Sequence, residues 1–407
     1  MTRSAILRHV PLRALLVAEV VSTTGSQMTW LALPWFVLAT THSPGRMTVV
    51  LIAELVASGL VGIPSGGVLQ RFGARRTMLA SDALRAPLVL VVPVLHWTGH
   101  LSFPLIVAVA AALGVFAAPY FSAQKVIVPE LLGEDEHVVT QANALMQGAI
   151  RTTMLLGPPI AGVLIGTIGA ASVLVVDGVT FAVSFVLVAV FVPQPENAPT
   201  ADETSGMLVG LRFIARERLL RIWIPLFVIG DAAWTAFFAA VPVLVFERFD
   251  ANPRIAGLLF AGFGAGALCG NFVSFRFLTQ RVDGLKLVAL SVPFQAAPLW
   301  LLPLPVGASV LIAATFASGL ANGICNPSIH SIWTLRLPPA IRARAMTASA
   351  TIWSFGLPLG LVVAGPVLSV YGARPVLVGF AATQTVTMLG VAIVSTRARR
   401  VPLPVTA

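Results

Sequence analysis

The 407-residue sequence is 57% hydrophobic and 10% charged, whereas an average soluble domain is roughly 45 to 50% apolar and about 25% charged. So few charges cannot cover a water-facing surface, which excludes an ordinary soluble protein. The formal net charge of +10 raises nucleic acid as a partner, a reading that the placement of the basic residues removes.

In chain order, apolar segments close to the ~20 residues a helix needs to cross hydrocarbon fall near 12–40, 47–70, 77–97, 103–125, 138–167 and 171–193. The first is longer than the apolar core of a signal peptide and no small-residue cleavage site follows it, so it reads as an uncleaved span. A second set of six falls near 220–245, 255–278, 286–304, 308–334, 346–370 and 375–395. Between the sets lies the one sizeable hydrophilic stretch, which ends in a basic amphipathic piece from Met207 to Arg218 and reads as an interfacial helix. The expected architecture is all-α and membrane-embedded, with about twelve spans in two bundles of six. Residues 1–193 form the N-terminal bundle, 194–219 a linker with the amphipathic helix, 220–395 the C-terminal bundle and 396–407 a tail.

By this placement, twenty of the 26 basic residues fall at one face. They are Arg3, Arg8 and Arg13; Arg71, Arg75 and Arg76; Lys125; Arg212, Arg216, Arg218 and Arg221; Arg276, Arg281 and Lys286; Arg336, Arg342 and Arg344; and Arg397, Arg399 and Arg400. Only Arg46, Arg248, Arg254 and Arg374 fall at the other. Cytoplasmic loops carry the excess of Lys and Arg, so both termini and the central loop are expected inside. The basic charge is then a topology signal, the bilayer is the partner, and nucleic acid is not.

The two halves look like copies. Ile168-Gly169-Ala170-Ala171-Ser172-Val173-Leu174 returns as Tyr371-Gly372-Ala373-Arg374-Pro375-Val376-Leu377 at an offset of 203, and Gln70-Arg71 returns as Gln280-Arg281 at an offset of 210. A parallel six-helix repeat is the mark of a two-bundle transporter with its site between the halves.

A charged group inside a span costs at least a few kcal/mol and is a functional candidate by default. Glu19, Glu54, Asp82, Asp177 and Asp231 qualify, with Arg85 and the mid-span Arg151. Glu19, Thr23, Ser26, Gln27 and Trp30 share one helical face. Ser318, Asn322, Cys325 and Asn326 repeat that spacing in the tenth span, and the seventh carries Asp231, Trp234, Thr235 and Phe238. Such stripes can line a cavity, and hydroxyls and amides can equally tie helices together in any bundle. Asp231 and Glu19 are the proton candidates, since a buried carboxylate must be paired, solvated or protonated. Glu54, Asp82, Asp177 and Arg85, nearer helix ends, read as snorkelling groups or a structural ion pair. Gln147 shares a face with Arg151, which can hold a carboxylate ionised or meet an anionic part of a substrate.

Gly157-Pro158-Pro159-Ile160-Ala161-Gly162 interrupts the fifth span, which a bundle tolerates. Cys269 and Cys325 lie in apolar runs, which leaves no disulfide framework. His96 and His100 lack a third metal ligand nearby. Trp97 and Trp300 at one boundary, with Trp223 and Trp333 at the other, read as aromatic belts.

Gly66-Gly67-Val68-Leu69-Gln70-Arg71-Phe72-Gly73-Ala74-Arg75-Arg76 resembles the loop signature of the major facilitator superfamily between helices 2 and 3. Gln70 stands where that signature usually carries an acid, while Gly66, Arg71, Gly73, Arg75 and Arg76 match. Asp82 to Arg85 and the run from Ala142 through Gly157-Pro158 resemble the branch of macrolide, multidrug and enterobactin exporters. The fifth-span element, with Gly157, Pro158, Ala161 and Gly162, is similar to the family's antiporter motif, Ala161 replacing the first glycine of a pair.

The resemblance implies rocking of two bundles about a midplane cavity, with protons moving inward to drive a small lipophilic drug, siderophore or metabolite outward. The proton gradient is the energy source, no cofactor is expected, and a bacterial cytoplasmic membrane is the expected location. The family fixes no universal proton acid, so Asp231 and Glu19 are assigned on depth and face. The substrate-cavity candidates are Gln27, Trp30, Gln147, Arg151, Trp234, Thr235, Phe238, Asn322 and Asn326. Two alternatives stay open: a proton-independent facilitator or nutrient importer, and a membrane receptor or scaffold that no longer transports. No nucleotide-binding loop or nucleophile motif stands in a hydrophilic segment, so an enzyme is not expected.

Overall fold

The computed structural model describes residues 9–62, 64–132, 136–194, 207–279, 281–338 and 341–398. Arg3, Arg8, Gln280, Arg399 and Arg400, and the side chains of Lys125, Arg151, Arg342 and Arg344, lie outside the described residues. Among the described residues the fold is all-helical.

The chain divides into two compact units, Met1–Asp202 and Glu203–Ala407. Unit 1 holds α1 (Val10–Thr41), α2 (Pro44–Gly62), α3 (Ser65–Phe72), α4 (Ala74–Trp97), α5 (Phe103–Leu132), α6 (Glu136–Ile168) and α7 (Ala170–Phe191). Unit 2 holds α8 (Met207–Arg216), α9 (Leu220–Arg248), α10 (Pro253–Val273), α11 (Gly284–Ala296), α12 (Ala308–Arg336), α13 (Arg342–Tyr371) and α14 (Ala373–Ala398).

Ten helices among the described residues are long and apolar enough to cross a membrane. α1 is not one of them although it runs for 32 residues, because its stripe of Glu19, Thr23, Ser26 and Gln27 dilutes its hydrophobicity. In α13 the apolar piece is Gly356–Tyr371. One expected span is shorter than the sequence suggested, and another changes helix type along its length. The second stops at Gly62 and a separate short helix follows Pro64, whose ring offers no amide hydrogen to continue the ladder. The ninth leaves α-geometry at Ala297 for a 3-10 turn, Ala297–Leu301, next to Pro298.

Within each unit the helices pair in the same way. In unit 1, α1 packs on α6 and α7, α4 on α5 and α7, and α2 on α5. In unit 2, α9 packs on α13 and α14, α11 on α12 and α14, and α10 on α12. The repeat seen in the sequence is therefore a repeat of packing. Gly169 and Gly372, related by the offset of 203, adopt φ +84 and +76 immediately before α7 and α14, a region that glycine enters without steric cost.

Where helices touch without a hydrophobic driving force, small residues let backbones approach. Gly262, Gly266 and Gly270 of α10 face Gly319 and Gly323 of α12, so closely that a Cβ at any of them would strike backbone of the partner helix or, at Gly262, the Thr315 hydroxyl as well. Gly114 of α5 meets the Glu54 carbonyl of α2 in the same manner. The core of unit 1 gathers Leu12, Leu15, Met78, Ile127, Met146 and Val188, and that of unit 2 gathers Trp223, Val288, Val292, Cys325 and Val391.

Trp223 and Trp333 do not form the aromatic belt expected of them. Trp223 is fully buried and Trp333 nearly so, so neither belongs to a belt at the membrane surface. Both lie inside packing clusters of unit 2. Trp97 and Trp300 are exposed.

Candidate functional site

Unit 1 carries a polar core built from α1, α4, α5 and α7. Glu19 is fully buried; it accepts from the Thr23 hydroxyl one turn on at 2.6 Å and from the Tyr120 phenol at 3.2 Å. Asp82 and Arg85 form a buried ion pair at 2.6 Å, and Ser184 of α7 donates to the other Asp82 oxygen at 2.7 Å. The Arg85 guanidinium lies between the rings of Tyr120 and Phe181, 4.4 and 4.3 Å from their centroids. Tyr120 thus touches Glu19 with its hydroxyl and Arg85 with its face. Asp177 is also buried; Thr29 donates to it at 2.5 Å and Thr180 at 3.0 Å. Snorkelling therefore does not describe Asp82, Arg85 or Asp177. The ion pair does describe the first two, because i and i+3 on one helix put them on a common face.

The loop signature runs from α3 into α4. Gly66 and Gln70 are exposed on α3, Arg71 lies 5.5 Å from the Phe72 ring centroid, and Gly73 turns the chain with φ +76. Arg75 reaches the end of α7, donating to the carbonyls of Val192 at 2.5 Å and Ala189 at 2.8 Å. The last carbonyls of a helix lack intrahelical partners, and a cation there also meets the negative end of the macrodipole. Arg76 is exposed. The motif thus holds the end of α7 as well as linking two spans.

In α6, Gly157, Pro158, Ala161 and Gly162 are buried. Gly157 abuts Gln27 of α1, whose Cβ occupies the space a side chain at 157 would need. A stripe residue and the antiporter-like element are therefore in direct contact. Trp30 is half-buried and Gln147 is exposed.

In unit 2, Asp231 accepts from the Trp353 indole at 2.6 Å, and Trp353 stacks on Trp333 with centroids 4.8 Å apart. Thr235 is buried and donates to the Leu357 carbonyl at 2.8 Å, pinning α9 to α13. Trp234 lies against Phe263 and Phe380 with centroids at 4.5 and 4.9 Å, and Phe238 lies 5.2 Å from Phe260. Asn322 donates to the side-chain oxygen of buried Gln295 at 3.4 Å, while Ser318 donates to the Gln295 carbonyl at 2.8 Å. Asn326 is half-buried on the same helix. Gln384 of α14 is buried and donates to the Gly230 carbonyl at 2.7 Å, beside Asp231.

Tyr120, Gln295, Trp353, Phe380 and Gln384 are among the side chains that the sequence did not single out. Signals for three of them exist. Tyr120 is one of two tyrosines in the chain and stands inside the fourth expected span, and Gln295 and Gln384 are amides within apolar runs. The rule that singled out Asp231 extends to them. No group of three or more His, Cys, Asp or Glu comes together among the described residues.

Comparison with known proteins places this architecture. Residues 15–359, and again 225–406, match the family described as the Major Facilitator Superfamily. The multidrug efflux pump Tap of Mycolicibacterium fortuitum is 26% identical over 376 residues, covering 89% of this chain and 90% of that protein. The pump of the same name from Mycobacterium tuberculosis is 26% identical over 383 residues, covering 89% and 88%. Among solved structures, the nucleoside transporter NupG matches with a TM-score of 0.70 at 14% identity, over 94% of this chain and 98% of that one. The D-xylose-proton symporter matches with a TM-score of 0.71 at 13% identity, over 94% and 97%. At such identities the likeness to the solved structures is one of fold. The chain belongs to the Major Facilitator Superfamily and is a multi-pass transporter of the cell membrane.

Proposed function

We propose that this transporter exports a small, largely lipophilic molecule by alternating access, driven by protons moving inward, with Asp231 and Glu19 as the proton carriers. The observation that carries the proposal is how these two acids are held. Among the described residues, Glu19 is bonded by the hydroxyls of Thr23 and Tyr120 and Asp231 by the indole of Trp353, whereas the ion pair of Arg85 goes to Asp82. An acid inside a span needs a cation, water or a proton. One held by neutral donors can take up a proton and give it back without breaking an ion pair.

Two further points support export. The mycobacterial relatives carry the name of multidrug efflux pumps and align over 89% of this chain. The aromatic group of Trp234, Phe238, Phe263 and Phe380 offers π-faces and apolar edges that suit flat lipophilic ligands. A carboxylate in the same region, Asp231, tilts the substrate toward cations.

The test uses purified protein in proteoliposomes with an imposed pH gradient, a pH-sensitive dye and a panel of lipophilic drugs and siderophores. The expected result is that at least one compound discharges the gradient through the wild type, and that Asp231→Asn and Glu19→Gln, both still folded, fail to do so. Labelled compounds that equilibrate while no protons move would put a facilitator in place of this reading.

A further inference from the structure

Four arginines crowd the junction of α8 and α9. Arg212, Arg216, Arg218 and Arg221 are all exposed, and none forms an ion pair among the described residues. The acid beside them, Glu217, is taken: it pairs with Arg336 at 2.8 Å and accepts from the Leu219 and Leu220 amides at 2.7 and 2.6 Å.

The helix that carries two of these arginines packs on its neighbours. α8 turns Leu211, Phe213 and Ile214 onto Trp333, Leu337, Ala345 and Ala348. Leu211, Phe213 and Ile214 are thus covered by protein. Docking of α8 and the Glu217 clasp fix the backbone that carries the four arginines, which lowers the entropic cost of bringing them together on a ligand.

The cluster also lies where hydrocarbon begins. α9 starts at Leu220 and qualifies as a membrane span, and its exposed positions continue from Arg221 to Ile222, Pro225 and Ile229. Residues 222, 225 and 229 follow the i, i+3, i+7 spacing of one helical face, so an apolar lane leads away from the basic cluster. A guanidinium prefers phosphate oxygens, which it binds through paired N–H donors. A ligand that suits both features carries an anionic phosphate at one end and alkyl chains at the other.

We propose that Arg212, Arg216, Arg218 and Arg221 form a binding site for the phosphate of an anionic phospholipid whose acyl chains lie along Ile222, Pro225 and Ile229. The site is independent of the proton-coupling assignment, since it shares no residue with Asp231 or Glu19.

Native mass spectrometry of the full chain in mild detergent tests it, with phosphatidylglycerol, phosphatidylethanolamine or inorganic phosphate as the probe. Each surface arginine contributes roughly a fivefold factor toward an anionic lipid. The wild type should hold phosphatidylglycerol at least about tenfold more tightly than phosphatidylethanolamine, and millimolar inorganic phosphate at fixed ionic strength should not displace it. The combined variant Arg212→Gln, Arg216→Gln, Arg218→Gln and Arg221→Gln should lose more than about a hundredfold. A control with Arg276→Gln, Arg281→Gln and Arg397→Gln, exposed elsewhere, should keep wild-type affinity. If the fourfold glutamine variant does not fold, Arg212→Gln with Arg221→Gln serves, with an expected loss of about 25-fold. Equal binding of the two lipids, unchanged binding in the glutamine variants, an equal loss in the control, or displacement by inorganic phosphate overturns the proposal.

Discussion

Replacing Arg85 by glutamine probes the polar core of unit 1 at its centre. The guanidinium donates to Asp82 at 2.6 Å and is flanked by the Tyr120 and Phe181 rings at 4.4 and 4.3 Å, with both charged partners buried. Removing one side of a buried pair costs about 3 to 5 kcal/mol, because the other charge remains without compensation. Lost contact with two aromatic faces adds up to about 2 kcal/mol where the cation is desolvated. These effects overlap, so the expected loss is roughly 4 kcal/mol, with Asp82 left to the Ser184 hydroxyl at 2.7 Å. In Asp82→Asn with Arg85→Gln neither member of the pair carries a charge, and the double variant should be more stable than Arg85→Gln alone by at least about 1 kcal/mol, within the usual range for coupled neighbours. Unfolding of purified protein in mixed micelles of rising dodecyl sulfate content, followed by tryptophan fluorescence, gives the order. A double variant less stable than either single one, with additive losses, would refute the reasoning.

Three other substitutions address separate links. Gly319→Ala places a methyl group on the Phe263 carbonyl, so α10 and α12 must part; overpacking of this kind costs about 1 to 3 kcal/mol, read as a shorter half-life of the folded protein on mild heating. Arg75→Gln removes two charge-assisted bonds to the end of α7, for a loss of about 1.5 to 3 kcal/mol and faster hydrogen exchange in the last turn of that helix. Trp353→Phe keeps a ring over Trp333 but deletes the donor to Asp231. On the proposed function it should slow transport roughly tenfold, and it should cost about 1.5 kcal/mol of stability, the equivalent of one bond to a charged group.

The fold was largely legible because hydrocarbon imposes a length and a composition on each helix, and because the repeat left matched segments such as Ile168–Leu174 and Tyr371–Leu377. The same repeat governs packing, down to the paired positive-φ glycines at 169 and 372. The polar cores were legible by half. A carboxylate in an apolar run announces itself, so Glu19 and Asp231 stand out, but the groups that hold them come from afar: Tyr120 lies 101 residues from Glu19, and Trp353 lies 122 from Asp231. Tryptophan misled for a related reason. Trp223 and Trp333 sit near span ends, as interface residues do, yet tertiary packing buries them. Depth along a span is readable from sequence, whereas the direction a side chain faces is fixed by neighbours.

Accumulation of a fluorescent lipophilic cation in everted membrane vesicles tests the central claim most directly. The account predicts that the wild type concentrates the dye above equilibrium when the lumen is acid, that nigericin releases it, and that Asp231→Asn only equilibrates it. Equal, gradient-independent equilibration by wild type and variant would contradict proton-driven export.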